Sequence, residues 1–350
     1  MIRAGGSMAW LGLLLATCLF LPLSAGAQTA VGISRLGFSP DSTRLIFNLC
    51  RQQQCEIAVY HRHNRTLHSY RPAVGQSWST GSYSADGAKI AFISNDAVAE
   101  ERSLWRQVSI MNADGSGVRI ITDSRHYKIN PSFSHDMKKI IYARAGVTRR
   151  TEQRDWIGDW DIYEVDIVTG HERQLTDHQF FSMDRPYYLP DDRRFLFSAD
   201  GMRKFGEIRT LNPVKQEAPK AYRDRYRGNH IYIKEPGDPD LSPALIHGAA
   251  TTRPRISADG TRILFTARTN ELDNNPDRVN YRYDLFLKEG EDIRRLTKSG
   301  HYILDSALSA DGRLLAFISG EPSRPKLFVM SAEGGAPEGI DLPASATAIN

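Results

Sequence analysis

Histidine, tyrosine and carboxylate or amide side chains recur at one spacing in two distant segments of the 350-residue sequence. Each segment has His-Tyr, two further residues and then Asn or Asp: His126, Tyr127, Asn130 and His301, Tyr302, Asp305. A third segment keeps the aromatic and acidic positions and adds an arginine: Phe180, Phe181, Asp184 and Arg185. Such groups, where they converge, can bind a small anion, a sugar, a metal ion or an inserted peptide. The alternative is that each repeated residue fills the same packing position.

A ten-residue pattern occurs six times in the sequence and shows where these three segments lie relative to the predicted strands. An apolar residue precedes Ser (Leu189 in the fourth copy), Asp follows two positions later, and a basic residue then leads into an apolar run that ends in Phe or Tyr. The Asp falls at positions 41, 86, 136, 191, 259 and 311. Asp and Gly favour tight turns, and short apolar runs between turn residues are typical of strands. Each copy therefore predicts a hairpin, and most copies are followed by two further strands. In the fourth repeat the third strand is expected near 229–236.

This period of nearly fifty residues, with four strands in each repeat, is the signature of a β-propeller. The sequence predicts an all-β fold with six blades, each a four-stranded antiparallel sheet. One domain over 28–350 contains the predicted blades, near 32–78, 79–129, 130–183, 184–252, 253–304 and 305–343.

The first 27 residues have the pattern of a cleaved signal peptide. Arg3 precedes an apolar run from 8 to 23, and small residues follow at 25–27. The alternative, a lipoprotein anchored at Cys18, ranks lower because the apolar run continues past that cysteine. We therefore expect a periplasmic or secreted protein with no membrane span. Without Arg3, the chain has 44 basic and 41 acidic residues. This near balance gives no large positive charge with which to bind nucleic acid.

Two cysteines follow the signal peptide, Cys50 and Cys55. In an oxidising compartment a close pair is a disulfide candidate. Four residues separate them, which suits a hairpin that places the two side chains opposite each other. The alternative is two free thiols in a buried hairpin.

The repeat resembles that of the TolB-like propeller family, the WD40-like "FSPDG" repeat, over about 32–343. The resemblance is specific for the fold and weak for function, because related propellers include binding proteins, peptidase gating domains and lyases. TolB has an α/β domain before its propeller. Only fourteen residues separate the expected cleavage site from Asp41, so the resemblance extends to the propeller alone.

Propeller topology predicts which face binds. The Asp-Gly turns lie on one face, which looks like scaffold, whereas the opposite face carries longer loops rich in aromatic residues and arginine. We expect these loop residues to form a binding surface, unless they only pin the loops to the blades: Trp105, Arg149, Arg150, Arg154, Trp156, Trp160, Arg278, Tyr281 and Tyr283. The linkers with the His-Tyr pairs lead into the innermost strands, so their side chains should surround the mouth of the channel.

The sequence has no nucleophile elbow, P-loop or H-E-x-x-H motif. We therefore expect a monomeric, non-enzymatic propeller without a cofactor, which binds another envelope or periplasmic protein through the long-loop face and the channel mouth. The family resemblance implies a peptidoglycan-associated lipoprotein as one class of partner.

The alternative is an enzyme. Some propellers with this repeat resemble oligosaccharide lyases that hold one divalent metal ion with histidines in the channel. Here the ligands would be His126 and His301, with His178, His230 or His247 as further candidates.

Overall fold

The computed structural model describes residues 31–51, 54–96, 104–150, 155–202, 229–238, 244–245, 251–269, 283–298, 303–320 and 325–342. Every regular element within these ranges is a β-strand. The sheets are antiparallel and form a ring, so the prediction of an all-β propeller is confirmed. The part of the chain that the structure describes contains no helix with the length and hydropathy needed to cross a membrane.

The first two repeats form separate four-stranded sheets with the strands in chain order. The first sheet consists of β1 (Val31–Phe38), β2 (Arg44–Arg51), β3 (Gln54–His61) and β4 (Thr66–Tyr70). The second sheet consists of β5 (Gln76–Tyr83), β6 (Lys89–Asp96), β7 (Arg106–Asn112) and β8 (Arg119–Ile120). Cys50 and Cys55 face each other across β2 and β3 and are bonded, which confirms the predicted disulfide.

The third and fourth repeats do not form separate blades. They form one seven-stranded sheet: β9 (Lys128–Phe133), β10 (Lys139–Arg150), β11 (Asp155–Asp166), β12 (Glu172–Gln174), β13 (Phe180–Tyr188), β14 (Phe195–Met202) and β15 (His230–Lys234). The pairing of Trp160 with Phe180 joins β11 to β13. This join is possible because β11 is twelve residues long, whereas β12 pairs with only a short part of it.

The prediction of six four-stranded blades is therefore wrong. The described residues form four separate four-stranded blades and the seven-stranded sheet. The segment 145–160, predicted as a long loop, belongs mostly to the extended hairpin of β10 and β11. The third strand of the fourth repeat, expected near 229–236, is confirmed as β15.

The last two repeats close the ring. The fifth sheet consists of β16 (Thr251–Ile256), β17 (Arg262–Arg268), β18 (Tyr283–Glu289) and β19 (Asp292–Arg295). The sixth repeat contributes β20 (Ile303–Leu308), β21 (Leu314–Ser319), β22 (Lys326–Ser331) and β23 (Glu338–Ile340). β20 packs beside β1, and the fourth strand of this sheet is β23 from the same repeat. The described strands of the first and last sheets each come from a single repeat, so the ring closes by packing of these two sheets.

The hydrophobic core lies between neighbouring sheets. On β2, Leu45 and Phe47 pack toward the sixth repeat, whereas Ile46 packs toward Trp78 and Phe92 of the second. Both faces of such a middle strand are covered. This explains why these strands are continuous apolar runs in the sequence instead of alternating patterns.

The Asp-Gly turns have one local design. In the last turn, Ser309 Oγ donates to Asp311 Oδ1 at 2.6 Å and accepts the backbone N–H of Leu314 at 2.9 Å. The same Ser–Asp pairing occurs at Ser84 and at Ser257. These bonds satisfy polar groups within each turn. Bonds between neighbouring turns add to them: Asp192 accepts the backbone N–H groups of His135 and Asp136, and the backbone N–H of Ala258 donates to the Ala310 carbonyl.

Candidate functional site

An irregular residue interrupts each of the six innermost strands. It lies six positions before the turn aspartate, and the six residues are called here the bulge ring: Arg35, Thr80, Asn130, Arg185, Arg253 and Asp305. The strand register shifts at five of them, which have a positive φ between 53° and 61°, and between Ile303 and Asp305 in the sixth repeat. Such bulges re-aim side chains and are frequent beside functional sites.

Asp305 lies at the centre of a buried ion cluster. Its Oδ1 accepts hydrogen bonds from Arg185 Nη2 at 2.6 Å and from Arg255 Nη2 at 3.2 Å. Its Oδ2 accepts the backbone N–H of Leu36 at 3.0 Å, and Arg255 also donates to the Leu36 carbonyl at 3.1 Å. These residues come from β20, β13, β16 and β1, so the cluster spans the channel.

Asp184 extends this cluster to the third repeat. Its Oδ1 accepts a hydrogen bond from Asn130 Nδ2 at 2.6 Å and an ion pair from Arg35 Nη1 at 3.1 Å. Its Oδ2 accepts Arg185 Nε at 3.2 Å. Arg185 therefore bridges the two carboxylates and orders both halves of the cluster.

Electrostatics keep the cluster ionised. Burial alone would raise the pKa of Asp305, but the guanidiniums of Arg185, Arg253 and Arg35 outweigh burial and hold that pKa below its usual 3.8. Burial works against the charge of Arg185, yet Asp305 and Asp184 raise its pKa. With Arg255, four guanidiniums surround two carboxylates, which leaves a net positive charge.

A cavity of about 240 Å³ extends from the bulge ring toward the face that carries the Asp-Gly turns. Polar residues form its inner end: Arg35, Arg185, Arg255 and Asn130. Apolar and aromatic residues form its wall: Phe38, Tyr83, Phe133, Tyr187, Ile256 and Leu308. Turn residues such as Ala85 and Ala258 form its mouth. None of the described residues that line this cavity is Asp or Glu.

The structure brings together some of the predicted channel-mouth residues. The ion cluster contains four of them: Asn130, Asp184, Arg185 and Asp305. This cluster lies inside the channel and not at its mouth. Two others do not join them: Phe180 is buried against Phe197 and Tyr232, and Phe181 is exposed. The predicted His301 and Tyr302 lie outside the described residues.

His126 and Tyr127 belong to a separate basic cluster. Arg144 Nη2 lies 2.9 Å from His126 Nε2, and the Arg106 guanidinium stacks over the Tyr127 ring at 4.0 Å. Lys128 is buried beside them and donates to backbone carbonyls. Burial and then the charge of Arg144 lower the pKa of His126, and burial lowers the pKa of Lys128 to about 8.

The predicted long-loop residues divide into three groups. Trp160 is buried beneath Tyr127, Trp105 lies under the Arg125 guanidinium at 4.7 Å, and Tyr283 is half-buried in β18. Three lie in the long hairpin of β10 and β11: Arg149, Arg150 and Trp156. Three lie outside the described residues: Arg154, Arg278 and Tyr281.

In the described part of the chain, His178 and His230 do not form a metal site with His126. The described residues contain no group of three or more His, Cys, Asp or Glu placed to hold a metal ion. His178 is buried before β13 and His230 begins β15, whereas His247 lies outside the described residues.

Sequence reasoning missed Arg35, Arg253, Arg255 and Tyr187 as site residues. A signal was present, because Arg35 and Arg253 occupy the same position relative to the turn aspartate as Asp305. Burial raises the pKa of Tyr187 to about 12, so its hydroxyl is neutral in the cavity wall.

The ring of antiparallel sheets around a charged channel defines a β-propeller. The chain is similar to the Tol-Pal system protein TolB of Rickettsia bellii, with 31% identity over 93 residues, which are 27% of this chain and 19% of that protein. TolB of Rickettsia akari is 28% identical over 103 residues, 29% of this chain and 21% of that protein. The matches thus span about one fifth of these relatives. No family model matches the chain.

Solved structures agree with the propeller fold. TolB from Acinetobacter baumannii superposes with a TM-score of 0.57 at 16% identity, over 88% of this chain and 62% of that one. An oligogalacturonate lyase in complex with manganese superposes with a TM-score of 0.55 at 14% identity, over 88% and 77% of the two chains. At these identities the likeness shows the fold alone.

Proposed function

We propose that this chain is an exported, TolB-like periplasmic propeller that binds another protein of the cell envelope without catalysing a reaction. The observation that carries the proposal is the cavity between the bulge ring and the turn face. Its apolar wall can receive side chains, and its charged inner end can orient them, as binding pockets require. The similarity to Tol-Pal system proteins supports a peptidoglycan-associated lipoprotein as the first partner to test.

The geometry favours entry at the turn face, which the sequence suggested was scaffold. The cavity mouth is formed by turn residues, and the aromatic residues of its wall lie directly beneath them. The long-loop face stays a predicted second surface, since three of its residues lie outside the described ranges.

The test is to block the mouth of the cavity. Ala85 and Ala258 are exposed lining residues, so Ala85→Trp and Ala258→Trp should fill the mouth without disturbing the core. Val168 is exposed on the β11–β12 turn of the same face, away from the lining, so Val168→Trp is the matched control. Affinity for the purified soluble domain of a peptidoglycan-associated lipoprotein is measured for each variant.

We expect Ala85→Trp and Ala258→Trp to weaken binding by about tenfold or more, as for a blocked central pocket, and Val168→Trp to leave it unchanged. Equal affinity in all variants would exclude the cavity as the site. Trp105→Ala then tests the long-loop face. No binding by the unaltered protein would remove this partner class.

A further inference from the structure

We infer that the cavity recognises a carboxylate carried by an apolar segment of the partner protein, and that Arg35 is the specificity-determining residue. This inference rests on the proposed function and specifies the chemistry that the partner must present. The inference gives the positive charge in the channel a function in binding. The propeller fold itself does not require that charge.

The first argument is the charge balance at the inner end of the cavity. Three arginines line it, Arg35, Arg185 and Arg255, whereas their carboxylate partners Asp184 and Asp305 are not among the lining residues. Asp305 is almost fully buried, and Asp184, although 20% exposed, does not line the cavity, so the charged groups of the lining are cationic. An anion that enters from the turn face meets guanidiniums first, and guanidiniums recognise carboxylates through paired N–H donors.

The second argument is that the arginines differ in how fully they are engaged. Arg185 and Arg255 are buried and bond two or more acceptors each, so they are held in place by the cluster. Arg35 is more open, with 33% of its side chain exposed, and among the described residues it forms an ion pair with Asp184 Oδ1. Its guanidinium can thus retain that pair and present further N–H groups to a ligand.

The third argument concerns the surroundings of the charge. The wall above the arginines is largely aromatic and aliphatic, including Phe38, Phe133 and Leu308. A free inorganic anion would leave this wall uncovered. An acidic residue flanked by apolar residues would cover it, and exclusion of water would strengthen the pairing with the guanidiniums.

The experiment uses the mature chain and labelled peptides acetyl-Gly-Leu-Glu-Leu-Gly-amide and its Gln counterpart, which differ only in the carboxylate. We expect the Glu peptide to bind about tenfold more tightly at low salt, and this preference to fall as ionic strength rises. Arg35→Gln should abolish the preference, and Arg35→Lys should retain part of it. The matched control is Arg65→Gln, an exposed arginine of the same repeat that pairs with Glu338.

Three outcomes would overturn the inference. The Glu and Gln peptides could bind equally, which would leave only apolar contacts. Arg35→Gln could keep the preference, which would place recognition elsewhere. Inorganic phosphate could displace the Glu peptide while acetate at the same concentration does not, which would identify a phosphate site. A further peptide, acetyl-Gly-Leu-Leu with a free carboxyl terminus, distinguishes a terminal carboxylate from a side-chain carboxylate as the source.

The partner protein separates this inference from the proposed function. If the partner needs the open cavity but binds Arg35→Gln and the unaltered chain equally, carboxylate recognition is wrong and the proposed function stands. If Ala258→Trp leaves partner binding intact while the Glu peptide still needs Arg35, the cavity recognises carboxylates but is not the partner site.

Discussion

The Asp-Gly turns and the bulge ring occupy equivalent places in every repeat, but they differ in what they repeat. The turns repeat their residues as well as their backbone: Ser84 with Asp86, Ser257 with Asp259 and Ser309 with Asp311 make the same short contacts. The bulge ring repeats its backbone and varies its residues, which include arginine, threonine, asparagine and aspartate.

The turns and the bulge ring also differ in how far apart in the sequence their contacting residues lie. The Ser–Asp contacts within the turns join residues two to five positions apart, and the longer turn contacts, such as His135 with Asp192, join neighbouring repeats. Bulge-ring contacts join distant repeats, as Arg35 does with Asp184 and Arg185 with Asp305. Repeated residues therefore build the scaffold, and the positions where the repeats differ carry the charge of the channel.

The largest expected effect is on stability when the cluster loses its central carboxylate. Asp305→Ala leaves Arg185 and Arg255 buried beside each other without their shared partner. We expect the free energy of unfolding to fall by about 3–5 kcal/mol. Asp311→Ala in the turn of the same repeat removes local hydrogen bonds and should cost about 1 kcal/mol. Urea denaturation measures both, and equal losses would show that the cluster is no more important to folding than a turn.

The second prediction concerns the pH dependence of these two carboxylates. The pKa of Asp305 in the folded protein is lowered, so the stability it contributes is present above the pKa of the unfolded chain and is lost as pH falls through the lower folded value. The pKa of Asp311 is also lowered, by its bond to Ser309, but the group is mostly exposed. We expect Asp305→Asn to flatten the stability profile below about pH 5 more than Asp311→Asn does. The reverse order in acid titrations monitored by urea unfolding would contradict this.

The same comparison explains what could be predicted from the sequence. The turns were predictable because Asp and Gly act locally, and the predicted third strand of the fourth repeat was also found. The disulfide followed from hairpin geometry between Cys50 and Cys55. In each case the relevant partners lie close together in the chain.

The missed features depend on distant partners. The merging of the third and fourth repeats rests on Trp160 meeting Phe180, and a repeat count cannot show that pairing. The bond between Arg255 and Asp305 could not be predicted from sequence alone, since it joins residues 50 positions apart on β16 and β20, which belong to neighbouring sheets of the ring. His126 and Asp305, which belong to the same spacing pattern, lie in different clusters, because His126 precedes β9 and contacts Arg144, whereas Asp305 lies within β20 and contacts Arg185.

The smallest expected effect is that of a chelator. This experiment distinguishes the proposed protein-binding propeller from the alternative of a metal-dependent lyase. His126 Nε2 lies against the cationic Arg144, and Arg106 and Lys128 are close by, so a divalent cation there would meet repulsion. We predict that the purified protein holds no tightly bound divalent ion and that a chelator leaves its melting temperature unchanged. His126→Ala should then lower stability slightly, without any change in metal content. One ion per chain, detected by mass spectrometry and lost in His126→Ala, would contradict the prediction. The histidines outside the described ranges would then be the next candidates for metal ligands.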